Sequence, residues 1–129
     1  QDVPKGAGMI FLKGSHLSSQ IYIPRSFKDG TELGEETNFK ALDDSVLKKY
    51  EHLEFDLKRG DALVFFNNTI HSAHSHDKEF ERSSLSIRYL MDGVSMTNNH
   101  INATPPFHRM GVKVIDNNPV PENFFPEVS

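Results

Sequence analysis

One stretch decides how the sequence is interpreted, and it reads Gly60-Asp61-Ala62-Leu63-Val64-Phe65-Phe66-Asn67-Asn68-Thr69-Ile70-His71. A turn at residues 58–61 leads into residues 62–66, which are apolar on both faces and predict a central strand. The stretch ends on a histidine, and Arg82 follows eleven positions later, near the start of a second strand. Imidazole is a common ligand for catalytic metals, and a guanidinium pairs well with a carboxylate. The pair therefore predicts half of a site for a metal and a keto acid.

The composition limits the classes of protein to which the chain can belong. Its 129 residues, 36% hydrophobic and 25% charged, fit one soluble globular domain. A formal net charge of −4 argues against nucleic acid as a partner. No apolar run reaches the roughly 18 residues that cross a bilayer, and no signal peptide is visible, so we expect no membrane partner and a cytoplasmic location. The chain has no cysteine and begins with Gln1, as a processed product or a partial gene can.

Short strands separated by turn signals predict an all-β sandwich or barrel. Strands are predicted at residues 9–12, 20–23, 52–57, 62–66 and 82–89. Residues 41–50 have the spacing of a brief helix within a polar insertion, at about residues 17–50. A Pro-rich tail at about residues 104–129 is expected to wrap the surface. We expect one domain over residues 1–129.

The two main site candidates each have a structural and a functional interpretation. His71 alone is more often a hydrogen-bonded histidine at a polar rim, although the small residues after it leave room for a metal. Arg82 could pair with a neighbouring glutamate on the surface. On one face of its predicted strand it also joins Ser84 and Ser86, one cation beside two hydroxyls, which suits a dicarboxylate.

Four blocks in order resemble the phytanoyl-CoA dioxygenase family. They are residues 8–16 (GMIFLKGSH), 60–65 (GDALVF), 69–73 (TIHSA) and 82–89 (RSSLSIRY). The resemblance implies a double-stranded β-helix, a jelly roll related to the cupins, and the use of Fe(II), 2-oxoglutarate and O2. It matches His71 to the distal iron histidine and Arg82 to the arginine that binds the far carboxylate of 2-oxoglutarate. By the same resemblance Ser84 and Ser86 are expected to help Arg82 bind the cosubstrate, and no residue is assigned as a catalytic acid or base.

The same resemblance implies that the first half of the iron site lies elsewhere. The family's H-x-D motif precedes the block at residues 8–16, where this chain has seven residues and no histidine. We therefore expect the C-terminal part of a domain, incomplete at its N-terminus, that hydroxylates a small-molecule substrate only when whole. The exposed sheet edges of such a piece favour a homodimer. The alternatives are a non-catalytic cupin-like binding or interaction module and an H-x-A/G halogenase variant.

Other histidines are weaker candidates. His52 and Glu54 have H-x-E spacing, but we expect both on the solvent face of a half-buried strand. Close to His71 lie His74, His76 and Asp77, which we interpret as part of a polar loop rather than a metal site. His16 belongs to a structural turn by the resemblance, and nothing singles out two further histidines, His100 and His108.

Overall fold

The computed structural model describes residues 2–26, 30–32, 39–74, 83–97, 110–113, 115–122 and 125. The chain divides into two compact units, one of Gln1–Glu32 with Asn38–Ser84 and one of Leu33–Thr37 with Leu85–Ser129. The elements are β1 at Met9–Leu12, a 3₁₀ turn at Ser15–Leu17, α1 at Asp44–Leu47, β2 at His52–Leu53 and β3 at His71–Ala73. All of them lie in the first unit.

A three-stranded antiparallel sheet in the order β2-β1-β3 forms the centre of the first unit. Phe11 of β1 lies opposite Leu53 on one side and opposite His71 on the other. Phe11 and Leu12 keep only 6% and 4% of their surface exposed. The predicted strand at residues 9–12 is therefore confirmed, and a small sheet with little helix agrees with an all-β fold.

The polar turn after β1 forms as its sequence predicts. Gly14 has φ 76°, a left-handed conformation that side chains other than glycine's rarely adopt. This bend turns the chain directly into the 3₁₀ turn, in which Ser15 is 3% exposed. The turn therefore places a buried hydroxyl next to the end of β1.

The predicted helix at residues 41–50 is present but shorter. Asp43 caps α1, because its carboxylate accepts hydrogen bonds from the backbone N–H groups of Ser45 (2.8 Å) and Val46 (3.0 Å). Val46 is 7% exposed, so the apolar side of this short helix is buried. A single turn of helix is ordered here by its cap and one buried side chain.

Three predicted strands are wrong. Residues 62–66 contain no strand, and Val64 is 97% exposed. Residues 83–90 are all exposed and contain no strand either, and residues 20–23 contribute only one bridge, Tyr22 to Lys40. Apolar or alternating sequence becomes a strand only where a neighbouring segment pairs with its backbone along several residues. In the described residues, the segments at 62–66 and 83–90 form no such ladder, and residues 20–23 pair only around Lys40.

The described part of the second unit is irregular. A bridge joins Ser95 to Pro119, and the backbone of Met96 exchanges hydrogen bonds with Asn117 and Asn118. Met96 and Val112 are each 7% exposed and are its buried apolar side chains. Half of the Pro-rich tail, residues 104–109, 114, 123–124 and 126–129, lies outside the described residues.

Among the residues that the structure describes, no helix has the length and apolar character needed to span a bilayer.

Candidate functional site

His71 is the first residue of β3, whereas the sequence predicts it at the end of a stretch whose strand lies at residues 62–66. Pairing of β3 with β1 sets its ring among aromatic side chains. The ring centroid lies 5.0 Å from that of Phe65, edge to face, and 6.1 Å from that of Phe11, with the two planes 30° apart. These contacts restrict the imidazole on two sides and leave it half-buried.

A hydrogen bond determines which ring nitrogen of His71 carries the proton. Its Nδ1 lies 2.7 Å from the backbone carbonyl of Thr69. Because a carbonyl oxygen can only accept, Nδ1–H is the donor, and the neutral ring keeps its lone pair on Nε2. Metal-binding histidines are commonly held in this way, with the second nitrogen bonded to a backbone carbonyl. His71 therefore has the tautomer of a metal ligand.

The loop that leads into His71 is attached to the turn at residues 15–17. The Ile70 N–H donates to Ser15 Oγ at 2.8 Å, and the Leu12 N–H donates to the Ile70 carbonyl at 2.9 Å. The Asn68 side chain donates to the His16 carbonyl at 2.9 Å. Contacts from distant parts of the sequence thus hold the backbone on which the His71 ring depends.

His16 packs through its ring rather than approaching His71. Its imidazole stacks on Phe66, with ring centroids 5.0 Å apart and planes 19° from parallel. That contact suits the structural turn expected for residues 14–16.

A carboxylate–histidine pair lies at the other end of β3. Glu54 Oε2 is 2.9 Å from His74 Nε2 and accepts the Gly6 N–H at 2.9 Å. The hydrogen bond from His74, followed by the one from Gly6, lowers the pKa of Glu54 below its ordinary value. The two side chains are about one-third exposed, so Glu54 is not the solvent-facing residue that we predicted.

Sequence reasoning missed this pair because it depends on the order of the strands. β2 and β3 both run antiparallel to β1, one on each edge, so their C-terminal ends meet at the start of β1. Glu54 follows β2 and His74 follows β3, while Gly6 precedes β1. The H-x-E spacing suggests His52, not His74, as the partner of Glu54. However, His52 is exposed, and its Nε2 lies 3.2 Å from the Leu47 carbonyl.

The remaining predicted site residues are either exposed or outside the described part of the chain. Arg82 lies outside the described residues, as do His76, Asp77, His100 and His108. Ser84 and Ser86 are both exposed and, contrary to expectation, do not lie on a strand. Within the described ranges no three His, Cys, Asp or Glu side chains are placed to hold a metal ion.

Comparison with known families identifies the chain. The family model described as phytanoyl-CoA dioxygenase (PhyH) matches residues 2–84, which is more than half of the sequence, and the chain belongs to this family. The family is one of oxygenases that generally depend on Fe(II) and 2-oxoglutarate. The matched span includes His71, Arg82 and Ser84, and it ends two residues before Ser86. No curated protein and no solved structure matches the chain significantly.

Proposed function

We propose that this chain supplies one metal ligand and the cosubstrate anchor of an Fe(II)/2-oxoglutarate-dependent dioxygenase. In this proposal β1, β2 and β3 belong to a double-stranded β-helix. The observation that carries the proposal is the hydrogen bond from His71 Nδ1 to the Thr69 carbonyl, which leaves Nε2 available as a donor.

The chemistry of His71 fits a ferrous ion. Fe(II) in such oxygenases is bound by two neutral imidazoles and a carboxylate, with positions left open for the reactants. Once bound, Fe(II) with 2-oxoglutarate supplies oxidative decarboxylation of the cosubstrate and hydroxylation of a C–H bond by O2. Phe11 and Phe65 contribute apolar contacts on two sides of the ring, which limit its exposure to water.

Arg82 is proposed to hold the carboxylate of 2-oxoglutarate that is remote from the metal. Its guanidinium can donate two parallel hydrogen bonds, which fixes both the position and the direction of the cosubstrate. Ser84 and Ser86 would add hydroxyl donors beside it. The spacing of Arg82 from His71 and its place in the matched span support this role.

The other histidine and the carboxylate ligand are expected before residue 8, in an H-x-D motif that this sequence does not contain. Glu54, the half-buried carboxylate at the same sheet, is already bonded to Gly6 and His74. We therefore propose that the 129-residue chain by itself releases little or no succinate from 2-oxoglutarate. Sustained succinate release with added Fe(II), at rates typical of enzymes, would contradict this part of the proposal.

Metal binding tests the assignment of His71 directly. Because His71 is the single ligand that the proposal assigns to this chain, we expect only weak binding of Mn(II), a paramagnetic substitute for Fe(II). It should broaden the ring resonances of His71 in the wild-type chain, and His71→Ala should abolish the binding. His52→Ala is the matched control, because His52 is exposed and bonded elsewhere. Binding that survives His71→Ala and is lost in His52→Ala would refute the assignment.

The role of Arg82 is tested in the same titration. We expect 2-oxoglutarate to increase the affinity for Mn(II) in the wild-type chain. In Arg82→Gln this increase should be smaller by a factor of about ten or more, since charge-assisted pairs are stronger than neutral ones. Arg88→Gln removes an exposed arginine from the same stretch and is the control. Equal losses in both variants would show a general charge effect.

The coding sequence upstream of Gln1 separates the oxygenase from its alternatives. An H-x-D motif there supports the oxygenase, and H-x-A or H-x-G supports a halogenase, in which chloride takes the place of the carboxylate. With neither motif, a non-catalytic module that keeps the arginine pocket for a small carboxylate is favoured.

A further inference from the structure

We infer that Ser15 is a positioning residue for His71, and that it acts through the peptide unit between Thr69 and Ile70. This inference rests on the proposed function of His71 as a metal ligand. It assigns to the buried turn after β1 a role in aiming a side chain more than fifty positions away in the sequence.

Two hydrogen bonds meet on opposite sides of one peptide unit. The Ile70 N–H donates to Ser15 Oγ at 2.8 Å, and the Thr69 carbonyl accepts from His71 Nδ1 at 2.7 Å. That N–H and that C=O belong to the same planar amide, in which a trans peptide points them in opposite directions. The Ser15 hydroxyl therefore sets the rotation of the plane, and the plane sets the direction in which the carbonyl faces the imidazole.

Ser15 is itself fixed in position by its surroundings. It is 3% exposed, and its carbonyl accepts the Ser18 N–H at 3.1 Å. On the other side of the loop, the Leu12 N–H fixes the Ile70 carbonyl at 2.9 Å, and Thr69 is 8% exposed. Because this part of the loop is largely buried, water is a poor substitute for a lost partner. The orientation of the peptide plane therefore depends on the protein's own donors and acceptors.

The hydroxyl also affects the chemistry of the ring. An amide whose N–H is bonded has a more polarised carbonyl, so the Thr69 oxygen becomes a better acceptor for the Nδ1–H of His71. That bond disfavours the Nε2–H tautomer, in which a proton blocks the nitrogen proposed to bind metal. Ser15 thus keeps the Nε2 lone pair available before any metal arrives.

The test measures the tautomer of His71 in the metal-free chain. Two-bond ¹H–¹⁵N correlation spectra report which ring nitrogen carries the proton, and the His71 signals are identified by their loss in His71→Asn. We expect mainly the Nδ1–H form in the wild type. In Ser15→Ala the peptide plane is no longer held, so the bond from Nδ1–H to the Thr69 carbonyl is weakened. The ratio of Nδ1–H to Nε2–H should then fall by about fivefold, which is the factor for losing one hydrogen bond of ordinary net strength. Ser19→Ala removes an exposed hydroxyl from the same region and should leave the ratio unchanged.

A purely structural role predicts a different result. Loss of an acceptor raises exchange of the Ile70 amide in either case, by about tenfold or more. Only the positioning role also changes the tautomer ratio. An unchanged ratio in a folded Ser15→Ala chain would overturn the inference, and so would a wild-type ring that is mainly Nε2–H. If Ser15→Ala does not fold, Ser15→Cys takes its place, because a thiol keeps the shape but accepts hydrogen bonds weakly.

The two proposals can fail separately. A tautomer that depends on Ser15, in a chain whose His71 does not bind Mn(II), would refute the proposed function and leave the control of the ring by Ser15 intact. Binding of Mn(II) through His71 with a ratio insensitive to Ser15 would refute only the inference about Ser15.

Discussion

Two apolar segments of similar composition differ in structure: one is a buried strand, and the other is largely exposed and irregular. In β1, Phe11 and Leu12 are 6% and 4% exposed, and the strand has a partner on each edge. In the segment at residues 62–66, Val64 is 97% exposed and Phe66 is 61% exposed, and no strand forms. Both segments are apolar on both faces, so hydrophobicity alone does not separate them.

The difference shows that backbone pairing decides which apolar run becomes part of the core. β1 has its N–H and C=O groups bonded on both sides, whereas the segment at residues 62–66 contacts the sheet through the ring of Phe65, 4.8 Å from that of Phe11. Exposed apolar side chains in a row commonly mark surfaces that contact another element or chain. Substitutions in β1 and in residues 62–66 test this comparison.

The largest effect is expected from Phe11→Ala. Phe11 contacts the rings of Phe55, Phe65 and His71, and its truncation leaves a cavity beneath the sheet, at a cost of about 3–5 kcal/mol. Denaturant unfolding measures this loss. Val64→Ala is the matched control from the other segment and should change stability by less than about 0.5 kcal/mol. Equal losses would show that residues 62–66 are buried as their sequence predicts.

A smaller effect, dependent on pH, is expected from Glu54→Gln. The folded-state pKa of Glu54 is lowered, so its contribution to stability is fully present above its ordinary value of 4.5 and is lost as pH falls through the folded value. Wild type should therefore exceed the variant in denaturation midpoint at neutral pH, and the gap should narrow below pH 4.5. Lys5 and His74 are the charged or titratable groups that act on Glu54, and added salt should weaken the effect.

The midpoint difference between wild type and Glu54→Gln, measured across this pH range, checks the expectation. Glu51→Gln is the control, since the Glu51 carboxylate pairs with the exposed Lys13 ammonium in the described structure. A gap that stays constant down to low pH would show that the ionised carboxylate of Glu54 is not what stabilises this end of the sheet.

A local effect is expected from Asp43→Ala. The bond from the Ser45 hydroxyl, then that from the Val46 N–H, lowers the pKa of Asp43, so the cap is strong when ionised and weakens as pH falls below its ordinary value of 3.8. The variant should lose the helical chemical shifts of residues 44–47 while those of β1 stay unchanged. Asp44→Ala removes the adjacent carboxylate without removing the cap. Loss of β1 signals in Asp43→Ala would contradict a purely local role.

The smallest effect on stability is expected from Val64→Lys. Val64 is 97% exposed, so a charged side chain there is already in water and should leave the unfolding midpoint within about 0.5 kcal/mol of the wild type. The same change should reduce any self-association measured by sedimentation, because a lysine opposes contact between apolar surfaces. Strong destabilisation would place Val64 in the core.

Some elements could be predicted because their causes are local. The glycine and serine after β1 predict a turn, and the spacing of residues 41–50 predicts a helix whose buried member is Val46. Other features could not, because they join distant parts of the chain. Glu54 meets His74 only through the strand order, and the strand predicted at residues 82–89 is absent from residues 83–90.

The sequence by itself determined the family of this protein, and the match to residues 2–84 confirms it. Short motifs in a fixed order carry that information, and they mark His71 as a candidate metal ligand from the sequence alone. The tertiary structure decided how His71 is held. The tautomer of its ring depends on the Thr69 carbonyl, and the peptide unit bearing that carbonyl is bonded to Ser15 in a turn far away in the sequence. Residue types and spacing cannot determine a proton's position, because it depends on hydrogen bonds formed only when distant segments pack together.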